Sequence, residues 1–154
     1  MARKTTHATE GTESPLPPAI VIHGLAHATA ALAAAAELSV PVTLISAPSA
    51  AGYVGPAWFR AVVEQARAGH PKVDVTAVLD CGDMPGDALA ALRDGAAIIR
   101  FSGDTAAKIA DIAAQCGALV IAERPQALDL AEVERSRRDI GRACREWLET
   151  RGNG

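Results

Sequence analysis

The stretch VDVTAVLDCGDMPGDALAALRDGAAIIRFSGD, residues 73–104, contains two short apolar runs, at 73–80 and 97–101, on either side of an alanine-rich segment from Pro85 to Arg93. Neither run alternates strictly between apolar and polar residues, as a half-exposed strand would. Such runs belong to the strands of a parallel sheet. Pro85 suits a first helical turn, where its missing N–H has no partner to lose, and Gly95 suits a left-handed residue just past a helix. The stretch therefore reads strand, helix, strand, with Asp104 opening a further helix.

The same alternation continues outward on both sides. Strands are expected near residues 19–23 and 42–46 upstream and 118–122 downstream, with helices at 27–38, 56–68, 85–93 and 104–115. Gly55-Pro56 marks a helix start, and Gly69 and Gly117 mark helix ends as left-handed caps. The pattern predicts an α/β fold of five parallel βα units. Beyond it, Asp129 and Glu132 stand at capping-box spacing before an apolar stripe of Leu130, Val133, Ile140, Cys144, Trp147 and Leu148. That segment, residues 129–151, predicts one amphipathic C-terminal helix, and residues 1–18, polar and then proline-rich, predict a mobile tail before a 19–128 domain.

The chain has 154 residues, 49% of them hydrophobic but only 3% aromatic, so a single core built from small side chains is expected. A formal net charge of −3 and a pI near 5.8 give no overall attraction to nucleic acid or an anionic membrane surface. The arginines at 135, 137, 138, 142 and 145 alternate with Glu132, Glu134, Asp139 and Glu146, the pattern of a solvated helix face. Cys81, Cys116 and Cys144 are odd in number and widely spaced, which fits a reducing, cytoplasmic compartment better than a disulfide framework. No run reaches the roughly 20 apolar residues of a membrane span.

Right-handed crossovers bring the C-terminal ends of all strands to one sheet edge, where ligands of such folds bind. The candidate site residues follow: His23 and His27 after the first strand; Ser46, Ser49 and Tyr53 in the loop after the second; Asp80, Cys81 and Asp83 after the third; Arg100, Ser102 and Asp104 around the fourth; Glu123 and Arg124 after the fifth. A carboxylate at the end of a buried strand is costly without a polar task, so Asp80 is either a site acid/base or a cap of the turn that follows. Cys81 is a thiolate ligand, a nucleophile or a packed thiol. His23 and His27 either ligate or hydrogen-bond within a cleft. Ser102 and Gly103 offer amides to an anion unless Asp104 caps the helix instead. Glu123 is a site carboxylate or a partner of Arg100 or Arg124.

Two stretches resemble the class II, metal-dependent fructose-bisphosphate aldolases. In PVTLISAPSAAGYVGPAWFRAVVEQA, residues 41–66, Tyr53 and Gly55 match the family's loop, with Gly52 where that family has lysine. Residues 73–104 are similar to its "LDHG" strand and the strand after it. The resemblance covers most of residues 19–123, the first half of an eightfold barrel, and implies Asp80 as general acid/base and Cys81 at a zinc-ligand position, with His23 to supplement it. The family's remaining zinc histidines and phosphate loops lie in its second half, outside this likeness. Five βα units suggest either a flavodoxin-like three-layer sheet or a half barrel completed by dimerisation. Three functions are compatible: a truncated aldolase-like module that binds a small anionic or carbonyl metabolite without cleaving it, without a cofactor; a minimal lyase using Asp80 and zinc; or a scaffolding homodimer.

Overall fold

The computed structural model describes residues 16–152, so most of the expected N-terminal tail lies outside it. Residues 17 and 18 are tied down: the Pro17 carbonyl accepts from the Thr43 hydroxyl at 2.8 Å and the Pro18 carbonyl from the Thr43 amide at 2.9 Å. The fold is α/β, the class expected. Six parallel strands, β1 (Ala19–Val21), β2 (Val42–Ile45), β3 (Val75–Asp80), β4 (Ile98–Arg100), β5 (Leu119–Ile121) and β6 (Ala127–Asp129), form an open sheet in the order β5-β4-β3-β2-β1-β6. Six helices accompany them: α1 (Leu25–Leu38), α2 (Pro56–Ala68), α3 (Pro85–Arg93), α4 (Ala106–Gln115), α5 (Leu130–Arg135) and α6 (Ile140–Gly152).

The proline starts of α2 and α3 fall where the sequence places them, each in the first turn. Gly95 and Gly117 take left-handed conformations past α3 and α4, whereas Gly69 is right-handed. Asp104 does not cap α4; Thr105 precedes the helix and makes no side-chain cap bond. The single C-terminal helix expected over 129–151 is broken: α5 ends at Arg135, Arg137 turns left-handed, and α6 begins at Ile140. Asp129 does cap α5, accepting from the Ala131 amide at 3.0 Å. None of the described helices is long and apolar enough to cross a membrane.

The core divides by sheet face. Ile20, Val42, Leu44, Leu79, Ile99 and Phe101 pack in one cluster with every buried apolar residue of the six helices. On the other face Ala19, Val21, Ile45 and Val78 form a smaller cluster, joined by Leu16, Ile98, Ile121 and Ala127. Helix α6 seats Ala143, Cys144 and Leu148 in the larger cluster, against the layer that contains α1.

The path from β5 to β6 fixes the shape of the sheet. These strands occupy opposite edges, yet only residues 122–126 connect them. The distance from Ile121 to Ala127 is at most about 22 Å for a fully extended chain. A flat sheet of this many strands would be about 24 Å across at roughly 4.8 Å per strand, and the chain must also return to the opposite end of the strands to run parallel again. The edges therefore curl toward each other, with the helices outside and the 122–126 connection crossing the concave side. Arg124, in the middle of that connection, reaches the ends of β2 and β3.

Candidate functional site

Strand alternation sends Asp80 to the concave face together with Val78, and Leu79 and Cys81 to the helical face. The Asp80 side chain is fully buried. Its Oδ1 accepts from the Ser49 amide at 2.9 Å and the Gly82 amide at 2.8 Å, and its Oδ2 from Arg124 Nη1 at 2.7 Å. Arg100 Nη1 lies 3.7 Å from Oδ1, and the Asp80 amide donates to the Ser46 hydroxyl at 2.9 Å. The carboxylate is held by two backbone amides and the Arg124 guanidinium, with the Arg100 guanidinium beside it. Asp80 is thus the anchor that ties β2, β3 and the β5–β6 connection together.

The turn after β3 is built for that anchor. Gly82 has φ 61°, and a Cβ there would meet the Ser49 hydroxyl. Only glycine offers its amide to Asp80 in this conformation without strain. Its carbonyl in turn accepts from the Ser102 amide at 2.9 Å.

Cys81 points away from this cluster. It is fully buried in the helical core, with its Sγ 3.8 Å from the Leu79 carbonyl. Burial, reinforced by the charges of Asp80 and Asp87, pushes its thiol up to about 12. Neither the nucleophile nor the zinc-ligand role expected for Cys81 suits a protonated thiol on the opposite face from Asp80 and His23. Among the described residues no group of three or more His, Cys, Asp or Glu is placed to hold a metal ion.

Both arginines line the concave mouth with side chains about one-fifth exposed. Arg100 Nε donates to the Ala122 carbonyl at 2.9 Å, while Arg124 Nη1 also donates to the Ser46 carbonyl at 3.1 Å. At the Asp80 contact itself two guanidinium groups face one carboxylate, with the acidic side chains of Asp83, Asp104 and Glu123 exposed farther out. Ser46, Ser49, Asp80, Arg100 and Arg124 are brought together. Tyr53, Asp83, Asp104 and Glu123 are exposed around them, and none makes an ion pair or side-chain hydrogen bond. Glu123 thus pairs with neither Arg100 nor Arg124. Ser102 contributes its backbone only.

The histidines form a second cluster at the β1/β6 end of the same edge. His23 Nε2 lies 2.8 Å from Asp129 Oδ1, and His27 Nε2 lies 3.0 Å from Glu134 Oε1. The His23 amide donates to His27 Nδ1 at 3.0 Å, which puts the proton of neutral His27 on Nε2, facing Glu134. Burial would raise the Asp129 carboxyl, but hydrogen bonds from His23 and Ala131 and the nearby positive charges outweigh it and hold the group below the usual carboxylate range. An ionised Asp129 accepts only, so the N–H of His23 Nε2 is the donor of that contact. Nδ1 has no partner among the described residues.

Sequence reasoning missed Asp129 and Glu134 as histidine partners and Arg124 as the Asp80 partner. Helical spacing explained the first two as cap and surface residues, and no local pattern marks a contact between Arg124 and Asp80 across 44 residues. A separate cavity of about 190 Å³ lies between α2, β3 and the segment leading from α3 into β4 on the helical side, lined by Phe59, Val63, Leu79 and Ala96 and bordered by the Arg60–Asp94 pair. It contains none of the edge residues. We weigh the mouth above it because charge converges there. No known protein family matches the chain, and no curated protein matches it either.

Proposed function

We propose that the protein binds a small anionic metabolite, carrying a carboxylate or phosphate, in the concave mouth between Arg100 and Arg124. The observation that carries this reading is the charge imbalance at the Asp80 contact: one carboxylate that already accepts three hydrogen bonds against two guanidinium groups whose side chains are about one-fifth exposed. Guanidinium is the side chain best suited to planar, two-point recognition of an oxyanion. The reading is that of a truncated aldolase-like module which has kept the ligand edge. Aldol cleavage at Asp80 is disfavoured because both of its oxygens already accept hydrogen bonds.

Calorimetric titration with orthophosphate, glyceraldehyde 3-phosphate and pyruvate tests it. At ten times its dissociation constant a ligand specific for the folded state adds about 1.4 kcal/mol to stability, visible as a raised melting temperature. Arg100→Met removes half of the cationic pair while leaving Asp80 its three hydrogen-bond donors. Binding lost in that variant supports the reading, and no binding by any of the three anions refutes it.

A homodimer is the second reading. Leu119 is 54% exposed on β5, whose outer edge is unpaired among the described residues. An apolar residue on a free strand edge is a natural site for self-association.

A further inference from the structure

The helical face of the sheet is not fully covered. Strand β3 lies inside the sheet, between β2 and β4. On β2, Val42 and Leu44 are completely buried beneath the helices, whereas on β3 Leu79 is buried but Val75 and Ala77 are only partly so. Helix α1 packs along α2, and α3 along α4, but α2 and α3 scarcely meet. The cavity of about 190 Å³ lies in this gap. Protein interiors hold few voids larger than a water molecule, so a space of this size over an inner strand calls for a physical reason. Small residues supply it: Ala77 on the floor and Gly95, Ala96 and Ala97 at the side carry nothing long enough to fill the space.

The cavity is a trough. Pro56, Phe59, Val63 and Arg67 all line it, at the spacing of one helix face, and together they span about 16 Å of α2. Phe59, Val63 and Leu79 make the interior apolar, and the charges stand at the rim. Arg60 is committed there: its Nε donates to Asp94 Oδ2 at 2.9 Å and its Nη2 to Oδ1 at 3.2 Å, with Glu64 3.9 Å away. Arg67, in the last turn of α2 at one end of the trough, makes no ion pair or side-chain hydrogen bond among the described residues.

We propose that this trough binds a straight-chain carboxylic acid of about eight carbons, its chain lying over Ala77 and Leu79 and its carboxylate at Arg67. An apolar cavity of about 150 Å³ admits a benzene ring, so this one has room for about seven or eight carbon atoms. That small volume, drawn out along the length of α2, suits an extended chain and not a ring. A guanidinium recognises a carboxylate through two parallel hydrogen bonds, and Arg67 is the lining arginine with that capacity uncommitted. The site is on the opposite face of the sheet from Asp80 and does not rest on the anion-binding reading of the mouth.

The test is isothermal titration of the full chain with butanoate, hexanoate, octanoate and dodecanoate, and with octan-1-ol and benzoate as controls for head and shape. Affinity is expected to rise roughly fourfold per methylene up to octanoate and then to level off, the factor being that of burying one methylene. This series is read on the wild type and needs no variant to fold. Arg67→Gln is expected to weaken octanoate about 10-fold and to leave octan-1-ol unchanged. Ala77→Leu, and Ala97→Leu at a more exposed position, are expected to weaken both ligands at least about 10-fold at an undiminished melting temperature, because they fill the trough. No saturable octanoate binding, or octanoate binding that survives both leucine variants, would overturn the proposal. So would benzoate binding more tightly than octanoate. Displacement of octanoate by excess orthophosphate would move the acid to the mouth and overturn it as well. A dimer that Ala97→Leu converts to monomers in analytical ultracentrifugation would give the trough to a second copy of the chain instead.

Discussion

Asp80 illustrates how a residue's neighbours, rather than its position, decide its chemistry. The sequence places a carboxylate at the end of a buried strand, and that much is legible because an unpaired charge there would be prohibitively costly. Its partners are not legible, since Ser49, Gly82 and Arg124 converge from three separate segments. Asp80→Asn would turn an N–H toward Arg124 and strand the guanidinium. It is expected to lower stability by about 3 kcal/mol, read as the free energy of urea unfolding. A loss below 1 kcal/mol would mean that Asp80 is not the anchor. The cysteines give a second check at this scale. Cys116 is exposed, whereas Cys81 and Cys144 are buried with thiols pushed up to about 12. Alkylation of the native protein near pH 8, followed by mass spectrometry, is expected to label Cys116 and spare the other two until the chain unfolds. Rapid labelling of Cys81 would reopen the nucleophile and metal readings for it.

At the level of elements, most are legible. Helices α2 and α3 match their expected limits because proline starts them and their apolar faces repeat cleanly. Strand β6 escapes notice not through its length, since β1, β4 and β5 are equally short, but because Asp129, its last residue, reads as the cap of the helix that follows. The break between α5 and α6 is hidden because the apolar stripe resumes in phase from Val133 to Ile140. The signal that was available is Asp139, whose carboxylate accepts from the Arg142 amide at 3.3 Å near the start of α6. Asp129 joins β6, α5 and His23, and its depressed carboxyl gives the pH dependence a definite sign. Its contribution is present above the ordinary carboxylate value and is lost as pH falls through the lower folded-state value, so it disappears on acidification below about pH 4. Asp129→Ala is expected to cost about 1 kcal/mol at neutral pH, the usual effect of losing an N-cap, and to flatten the acid limb of a stability–pH curve. An unchanged acid limb would contradict the pairing with His23.

For the whole molecule, the decisive feature is a five-residue connection that spans the two edges of the sheet and forces it to curl. The sequence suggested either a layered sheet or a half barrel, and could not reveal this crossing because β6 itself was not apparent. The crossing is also what brings Arg124 over β2 and β3, so the same event shapes the sheet and charges its mouth. Edge strands left unpaired by an open sheet carry an association hazard, and Leu119 exposes it. If the chain is a dimer through this edge, Leu119→Lys is expected to yield monomers in analytical ultracentrifugation, and an unchanged sedimentation coefficient would place the contact elsewhere. The central claim is that the concave mouth is an anion site created by two guanidinium groups sharing one carboxylate. Isothermal titration of the wild type and Arg100→Met with pyruvate and orthophosphate, at low and at high salt, tests it most directly. Saturable binding that weakens with salt and falls at least about 10-fold in Arg100→Met is the predicted result; equal heats in both proteins, or none in either, would contradict it.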